Sequence, residues 1–368
     1  MKLGWRGALG LLLSALLLAW TLRGVKLGEV WHVLAGANLA LLLLSAAAAT
    51  VIFPLRARRW RVILDPVAPD LPFGMLWRST AIGMMVNNVV PARAGEIARA
   101  YALTRETPRV PFSAAFASLA VDRVFDAVAV LGLMFLAMLD PAFPRGSETG
   151  RLVGSWAGTG AVAVLGLLGA LYLLVFFPAP IISLYEAFAR RVAPRLESRG
   201  RDALIAFASG LGVLRSPRRF AAVLWWTVLH WLTNALAFWI GFRAVGIAAP
   251  FGAALFLQGL IAIGVAIPSS PGFFGVFEAF ARTGLSVYGV DKTLATSWAI
   301  GFHLLSFIPI TVIGAIYFAR LGLHFGDLTR TTAADDAGGA DENGAPPPVG
   351  ETAGGETAGG GRRSRGVA

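Results

Sequence analysis

The chain has 368 residues, of which 56% are hydrophobic and 14% charged, and it contains no cysteine. A soluble domain carries roughly 25% charged residues, so the composition argues for a lipid solvent, and the missing cysteines exclude disulfides, thiolate metal sites and cysteine nucleophiles. The net charge of +11 would suggest nucleic acid for a soluble chain, but here arginine clusters flank apolar runs and set membrane orientation instead; no nucleic-acid partner is expected.

Runs free of Asp, Glu, Lys and Arg cover residues 7–22, 33–55, 152–185, 220–242, 244–277 and 293–319. A helix needs about 20 apolar residues to cross about 30 Å of hydrocarbon, and soluble amphipathic helices are not apolar all round for that length. Lys2 and Arg6 precede the first helix, which reads as an anchor: no small-x-small cleavage site followed by a soluble polar domain is present. The second helix, 38–55, ends at Arg56, Arg58, Arg59 and Arg61, read as a cytoplasmic positive flank. Residues 75–99 come next, with Arg78 before and Arg99, Arg105 and Arg109 after the apolar part. The middle of that segment, IGMMVNNVVPARAGE, is broken by two Asn, Pro91 and Gly95. Lipid-exposed helices do not tolerate such a break, whereas a hairpin shielded by protein does, so the segment predicts a re-entrant helix–loop–helix opening to the cytoplasm.

Full crossings follow at 111–139 and 152–177, with 140–150 outside. The arginine-rich stretch from Arg190 to Arg219 is expected in the cytoplasm, including a surface helix over anionic head groups. Residues 220–242 cross outward, 251–287 are interrupted at AIPSSPGFFG, and 294–320 return. Residues 326–368 are Gly, Ala, Pro, Asp and Glu with a closing arginine cluster, a composition that predicts a disordered cytoplasmic tail. The expected fold is therefore an all-α polytopic membrane protein, with a membrane domain over 1–325, six full transmembrane helices, two re-entrant broken-helix hairpins, and both termini cytoplasmic.

The halves look related. Pro91-x-x-x-Gly95 and Pro271-x-x-x-Gly275 share a spacing and lie 180 residues apart. The same offset carries the start of the second helix to the start of the run at 220, and the start of the crossing at 111 to the start of the last. One hairpin enters from each side, so the repeat is inverted, a pattern that points to a transport site near the midplane.

Three clusters could carry chemistry. In the first, Pro91 and Gly95 open the helix, Asn87 and Asn88 either satisfy the freed backbone or bind a ligand, and Arg93, Glu96 and Arg99 follow; Arg93 either takes phosphate or reaches the head groups. In the second, Asp122, Arg123 and Asp126 lie well inside a span, with the two carboxylates four apart on one face. They must face protein or water, as an acid pair for a proton or cation, with Arg123 as a phosphate ligand, or as an ion-pair network tying this helix to the first hairpin through Arg93 or Arg99. In the third, Pro268, Pro271 and Gly272 break the chain before a helix expected to begin near Phe273. Ser269 and Ser270 are placed to cap that helix, Gly275 is read as part of the hinge, and Glu278 and Arg282 can pair four apart. His230 and His303 read as hydrogen-bonded core histidines, with a proton relay as the alternative. The four histidines lie too far apart for a zinc site, so no metal or cofactor is expected.

The runs NNVVPARAGEIARAYAL, ASLAVDRVFDAVAVL and IPSSPGFFGVFEAF resemble the hallmark stretches of the lysylphosphatidylglycerol synthase transmembrane, flippase-like family. The resemblance implies a domain that moves phospholipid between leaflets of the bacterial cytoplasmic membrane, without the family's soluble aminoacyl transferase domain. By motif match it carries over Asn88, Pro91, Arg93, Gly95, Glu96, Asp122, Arg123, Pro271, Gly272, Gly275 and Glu278. Asp122 departs mildly from a position where glutamate is frequent, and His303 stands where arginine is also common. The leading expectation is a lipid translocase with a phospholipid as partner. The alternative is a non-transporting accessory subunit of an envelope-lipid enzyme, and a homo-oligomer is a further possible assembly. No paired nucleophile and base or nucleotide loop suggests an enzyme.

Overall fold

A computed structural model describes residues 5–90, 94–146, 151, 157–192, 201, 215–266 and 269–324. Pro91, Arg93, Pro268, most of the arginine-rich stretch after 192 and the tail 326–368 lie outside the described residues. Among the described residues there are helices and no strands. The helices are α1 (Trp5–Leu22), α2 (Leu27–Ala35), α3 (Leu39–Leu64), α4 (Phe73–Val89), α5 (Gly95–Glu106) and α6 (Phe112–Leu139). There follow α7 (Ala157–Phe176), α8 (Pro178–Val192), α9 (Pro217–Ala244), α10 (Phe251–Ala266), α11 (Val276–Val287) and α12 (Lys292–Arg320).

Local chemistry sets the ends of the long helices. The Asn38 side chain accepts from the Leu41 N–H at 3.1 Å and starts α3. Asp291 accepts from the N–H groups of Thr293 and Leu294 and starts α12, while Pro217 occupies the first turn of α9, where its missing N–H costs nothing. Helices α3, α9 and α12, of 26, 28 and 29 residues, are long and apolar enough to cross a membrane. Helix α6 has 28 residues, about 42 Å at 1.5 Å per residue, and carries three charged residues in its middle. Leu43, Leu44 and Val51 on α3, and Ile308, Val312 and Ile316 on α12, are exposed. The α12 residues recur every four positions and form one apolar stripe, which suits lipid and not water. The chain is a membrane protein, all-helical over the described residues.

The structure moves several expected boundaries. Helix α3 continues to Leu64, past the expected end at 55, so Arg56 and Arg59 lie inside it and are buried. They are not a solvent flank, because acidic partners on α6 take their charge. The run 33–55 divides between α2 and α3, and Pro178 divides the run 152–185 between α7 and α8. The second break is longer than expected: a short 3-10 turn, Pro271–Phe273, precedes α11, which begins at Val276 and not near Phe273. Gly272, Phe273 and Gly275 have φ of +66°, +62° and +84°, and left-handed backbone cannot continue a right-handed helix.

Helices α3 and α9 pack along their length and run antiparallel. The Asn38 N–H donates to the Ala244 carbonyl at 2.9 Å, Ser45 Oγ to the Ala237 carbonyl at 2.7 Å, and Arg219 pairs with Asp65 at 3.4 Å. Helix α4 lies against α12, where Asn88 Nδ2 donates to Thr311 Oγ1 at 2.6 Å and Gly314 leaves room for the Ala81 carbonyl. In the corresponding contact α6 lies against α10, with Met134 seated on Gly259. These pairings correspond under the 180-residue offset, which also relates the ends of α3 and α9 and the starts of α6 and α12. Each half has its own core: Trp60, Leu64, Leu103 and Phe125 in the first, and Phe238, Phe242, Trp298 and Phe302 in the second.

Candidate functional site

Three helices of the bundle bring charge to one buried place, and a fourth adds hydrogen bonds. Arg56 and Arg59 are three apart on α3, and Asp122 and Asp126 four apart on α6, so each pair shares a helix face. Arg59 Nη2 lies 2.6 Å from Asp122 Oδ1, and its Nη1 lies 2.7 Å from Asp126 Oδ1. Arg56 Nη2 reaches Asp126 at 3.4 Å and Asp122 at 3.7 Å. From α5, Arg99 Nη1 reaches Asp122 Oδ2 at 3.2 Å while its guanidinium lies 4.1 Å over the Trp60 ring. From α9, Thr227 Oγ1 accepts from Arg59 at 3.1 Å and Trp231 Nε1 donates to Asp126 at 3.0 Å. All five charged groups are buried. A low-dielectric interior tolerates ions only when they are paired and hydrogen-bonded.

The pairing leaves a remainder. Three buried guanidinium groups meet two carboxylates, an excess of one positive charge. Arg123 and Glu96 pair with each other at 2.7 Å and do not change that balance. Arg56 Nε and Arg99 Nε and Nη2 are buried with no hydrogen-bond acceptor among the described residues.

Beside this network is a cavity of about 470 Å³. Arg56, Arg123, Asp126, His230 and Trp231 form one polar group in its lining, Asn234 and Gln258 a second, and His303 with Ser306 a third. Asn234 Nδ2 donates to Gln258 Oε1 at 3.1 Å. Much of the remaining wall is apolar, including Ile52, Phe53, Ile261, Phe277 and Phe307. Its walls come from both halves, which suits a molecule with a charged head and an apolar body.

Of the residues singled out in the sequence, Arg123, Asp126, His230 and His303 line the cavity, and Asp122 stands behind it in the ion network. Glu96 reaches the cavity only through Arg123. Asn87 holds the first hairpin together: its Oδ1 accepts from the Gly95 N–H at 2.8 Å, while Asn88 bonds Thr311. Ser270 caps no helix. Its N–H donates to Ser14 Oγ at 2.8 Å, and its hydroxyl to the Phe274 carbonyl at 3.0 Å. The Ser269 hydroxyl is buried without a hydrogen-bond partner among the described residues. Glu278 supplies the N-terminal bond of α11, accepting from the Gly275 N–H at 2.6 Å. The pairing of Glu278 with Arg282 does not form: Glu278 takes His303 instead, and Arg282 donates to the Trp20 and Thr21 carbonyls with its guanidinium 4.4 Å over the Trp20 ring. His230 and His303 are both buried, and His303 is hydrogen-bonded as expected of a core histidine.

Arg56, Arg59, Trp231, Asn234 and Gln258 were not anticipated as site residues. For the two arginines a signal existed: their three-residue spacing gives a helix face matching that of the two aspartates. For the other three no motif marks them, because their role comes from packing across the chain.

Comparison with known proteins agrees with this architecture. Over 360 residues the chain is 28% identical to the glycosyltransferase AglD of Haloferax volcanii, an alignment covering 89% of this chain and 55% of that relative. The chain thus spans about half the length of AglD. It is 26% identical over 328 residues to a UPF0104 membrane protein of Methanothermobacter thermautotrophicus, covering 80% of this chain and 88% of the relative. A UPF0104 membrane protein of Pyrococcus horikoshii, PH1989, is 23% identical over 287 residues, covering 71% and 81%. These relatives are archaeal. The family model described as the lysylphosphatidylglycerol synthase TM region matches residues 7–314, and the chain belongs to that family.

Proposed function

We propose that this protein is a lipid translocase that moves a phospholipid or lipid-linked head group between the leaflets of a prokaryotic cytoplasmic membrane. The observation that carries the reading is the cation-rich network of Arg56, Arg59, Arg99, Asp122 and Asp126 beside an apolar-walled cavity between the halves. Its one excess positive charge, with the guanidinium groups of Arg56 and Arg123 at the cavity wall, matches a phosphodiester, which carries one negative charge and accepts several hydrogen bonds. The apolar wall suits acyl chains. In this reading α1, α3, α6, α7, α9 and α12 are the six full crossings. The segments α4–α5 and α10–α11 are re-entrant hairpins entering from opposite faces, and the two halves are an inverted repeat. The antiparallel pairing of α3 with α9 supports that inversion, because corresponding helices then cross in opposite senses. Both chain ends lie on the cytoplasmic side. Arg123 sits at the cavity wall as the mobile contact to phosphate, exchanging Glu96 for the ligand. No catalytic step is assigned.

The test is transfer of a labelled phospholipid between leaflets in proteoliposomes. Arg123→Ala is expected to abolish transfer while the purified variant stays folded; transfer at the parent rate rejects the reading. One observation favours a second reading, a non-transporting subunit of an envelope-lipid enzyme: the chain aligns with about half of a longer relative named a glycosyltransferase. Co-purification with such an enzyme, and no transfer by the protein alone, would select it.

A further inference from the structure

The hinge of the second hairpin is tied to the cavity by a pair of ionisable groups outside the arginine–aspartate network. His303 on α12 lines the cavity and is buried. Its Nδ1 lies 2.6 Å from Glu278 Oε1, and its Nε2 lies 2.8 Å from the Gly272 carbonyl oxygen. The other Glu278 oxygen, Oε2, accepts from the Gly275 N–H at 2.6 Å. Gly272 and Gly275 are two of the three left-handed residues in this break, so both bonds grip the bend itself.

The protons can be counted. A carbonyl oxygen only accepts, so Nε2 must carry a proton to make its bond. The contact between Nδ1 and Glu278 Oε1 needs a second proton, on one atom or the other. An ionised carboxylate and a neutral imidazole together hold one proton too few. That single proton goes to Nδ1, facing the carboxylate, and leaves the Nε2 lone pair against the Gly272 oxygen. The geometry therefore points to a proton-binding site at Glu278 and His303 that locks the second hairpin when loaded and releases it at Gly272 when empty. Set beside the proposed lipid transfer, and resting on that reading only for this coupling, it makes the proton the coupling ion.

The surrounding groups leave this pair to itself. Among the described residues Glu278 is the ion-pair partner of His303. Arg56 of α3, Arg123 and Asp126 of α6, and His230 of α9 share the cavity but belong to the other network. Residues 12–22 of α1 and all of α10 carry no ionisable side chain. Arg78 of α4 is held by Glu106, Arg282 of α11 by backbone carbonyls, and Glu29 of α2 by Lys26.

Two measurements on the full chain in nanodiscs test the site, and neither needs transport. The first is the nitrogen-15 spectrum of the histidine rings, with His303 assigned by its loss in His303→Gln. Across a pH series from acid to alkaline the Nε2 proton should be lost as the site empties, whether the second proton sits on the ring or on Glu278. A His303 ring that keeps one form throughout overturns the proposal. The second uses the absence of native cysteine. Ser269→Cys is labelled with a thiol reagent in the parent and in His303→Arg, which donates permanently. Divided by the rate in the arginine background, which cancels the thiol's own ionisation, the parent rate should rise about tenfold or more over the same pH range, the scale of one lost charge-assisted bond. Equal profiles in the two backgrounds overturn the proposal.

Discussion

Replacing Asp122 with asparagine keeps the shape of the side chain and removes one of two negative charges among five buried ions. Asp122 has no exposed surface, with Arg59 at 2.6 Å, Arg99 at 3.2 Å and Arg56 at 3.7 Å. Without it the excess buried charge doubles, from one positive to two. Arg59 keeps Asp126 at 2.7 Å, but Arg99 loses the one carboxylate it contacts among the described residues. Breaking a buried pair from one side typically costs about 3–5 kcal/mol, because a charge is left uncompensated. Asp122→Asn is expected to lose that much. Arg99→Gln should lose less, since Asp122 still has Arg59 and the main further loss is the contact with Trp60, about 0.5–2 kcal/mol. The double variant restores the excess to one and should be no less stable than Asp122→Asn alone, a coupling of at least about 1 kcal/mol. Unfolding in mixed micelles, followed by tryptophan fluorescence, gives all four stabilities. A single Asp122→Asn variant as stable as the parent, or losses that simply add in the double variant, would refute the reasoning.

Three other substitutions test the frame around the site. Gly95→Ala places a methyl group against the Gly83 carbonyl and the Asn87 side chain. It should cost about 1–3 kcal/mol and be read as a lower unfolding midpoint. Gly275→Ala combines a φ of +84° with a collision against the Ser14 carbonyl of α1, and should lower stability by more than the roughly 1–2 kcal/mol of the backbone penalty alone. Glu29→Gln removes an exposed pair with Lys26 at 3.0 Å and should leave the unfolding midpoint unchanged within about 0.5 kcal/mol. A large effect there would mean that exposed charge contributes more than this account allows.

The fold was largely legible because a bilayer writes itself into sequence: long charge-free runs become helices, and Pro and Gly clusters mark where they break. The spacing of Pro91, Gly95, Pro271 and Gly275 suggested a repeat, and the element boundaries follow the same 180-residue offset. Polarity alone misled at the end of α3. Arg56 and Arg59 look like a cytoplasmic flank until Asp122 and Asp126 are placed opposite them, and only tertiary packing does that. Glu278 misled for a similar reason. A carboxylate four residues before an arginine on a helix suggests a local pair, but the N–H of Gly275 and the ring of His303 are closer and buried. The cavity was not legible at all, since its wall is assembled from α3, α4, α6, α9, α10, α11 and α12, and no local pattern records that convergence.

The central claim is that a lipid enters the space between the two halves with its phosphate at the arginines. A phospholipid bearing a photoreactive acyl chain, crosslinked in native membranes and mapped by mass spectrometry, addresses it directly. The account predicts adducts at Ile52, Ile261 and Phe307 on the cavity wall, depleted when Arg56 and Arg123 are both replaced by glutamine. Adducts confined to the outer residues Leu43, Val312 and Ile316, with the cavity wall unlabelled, would contradict it.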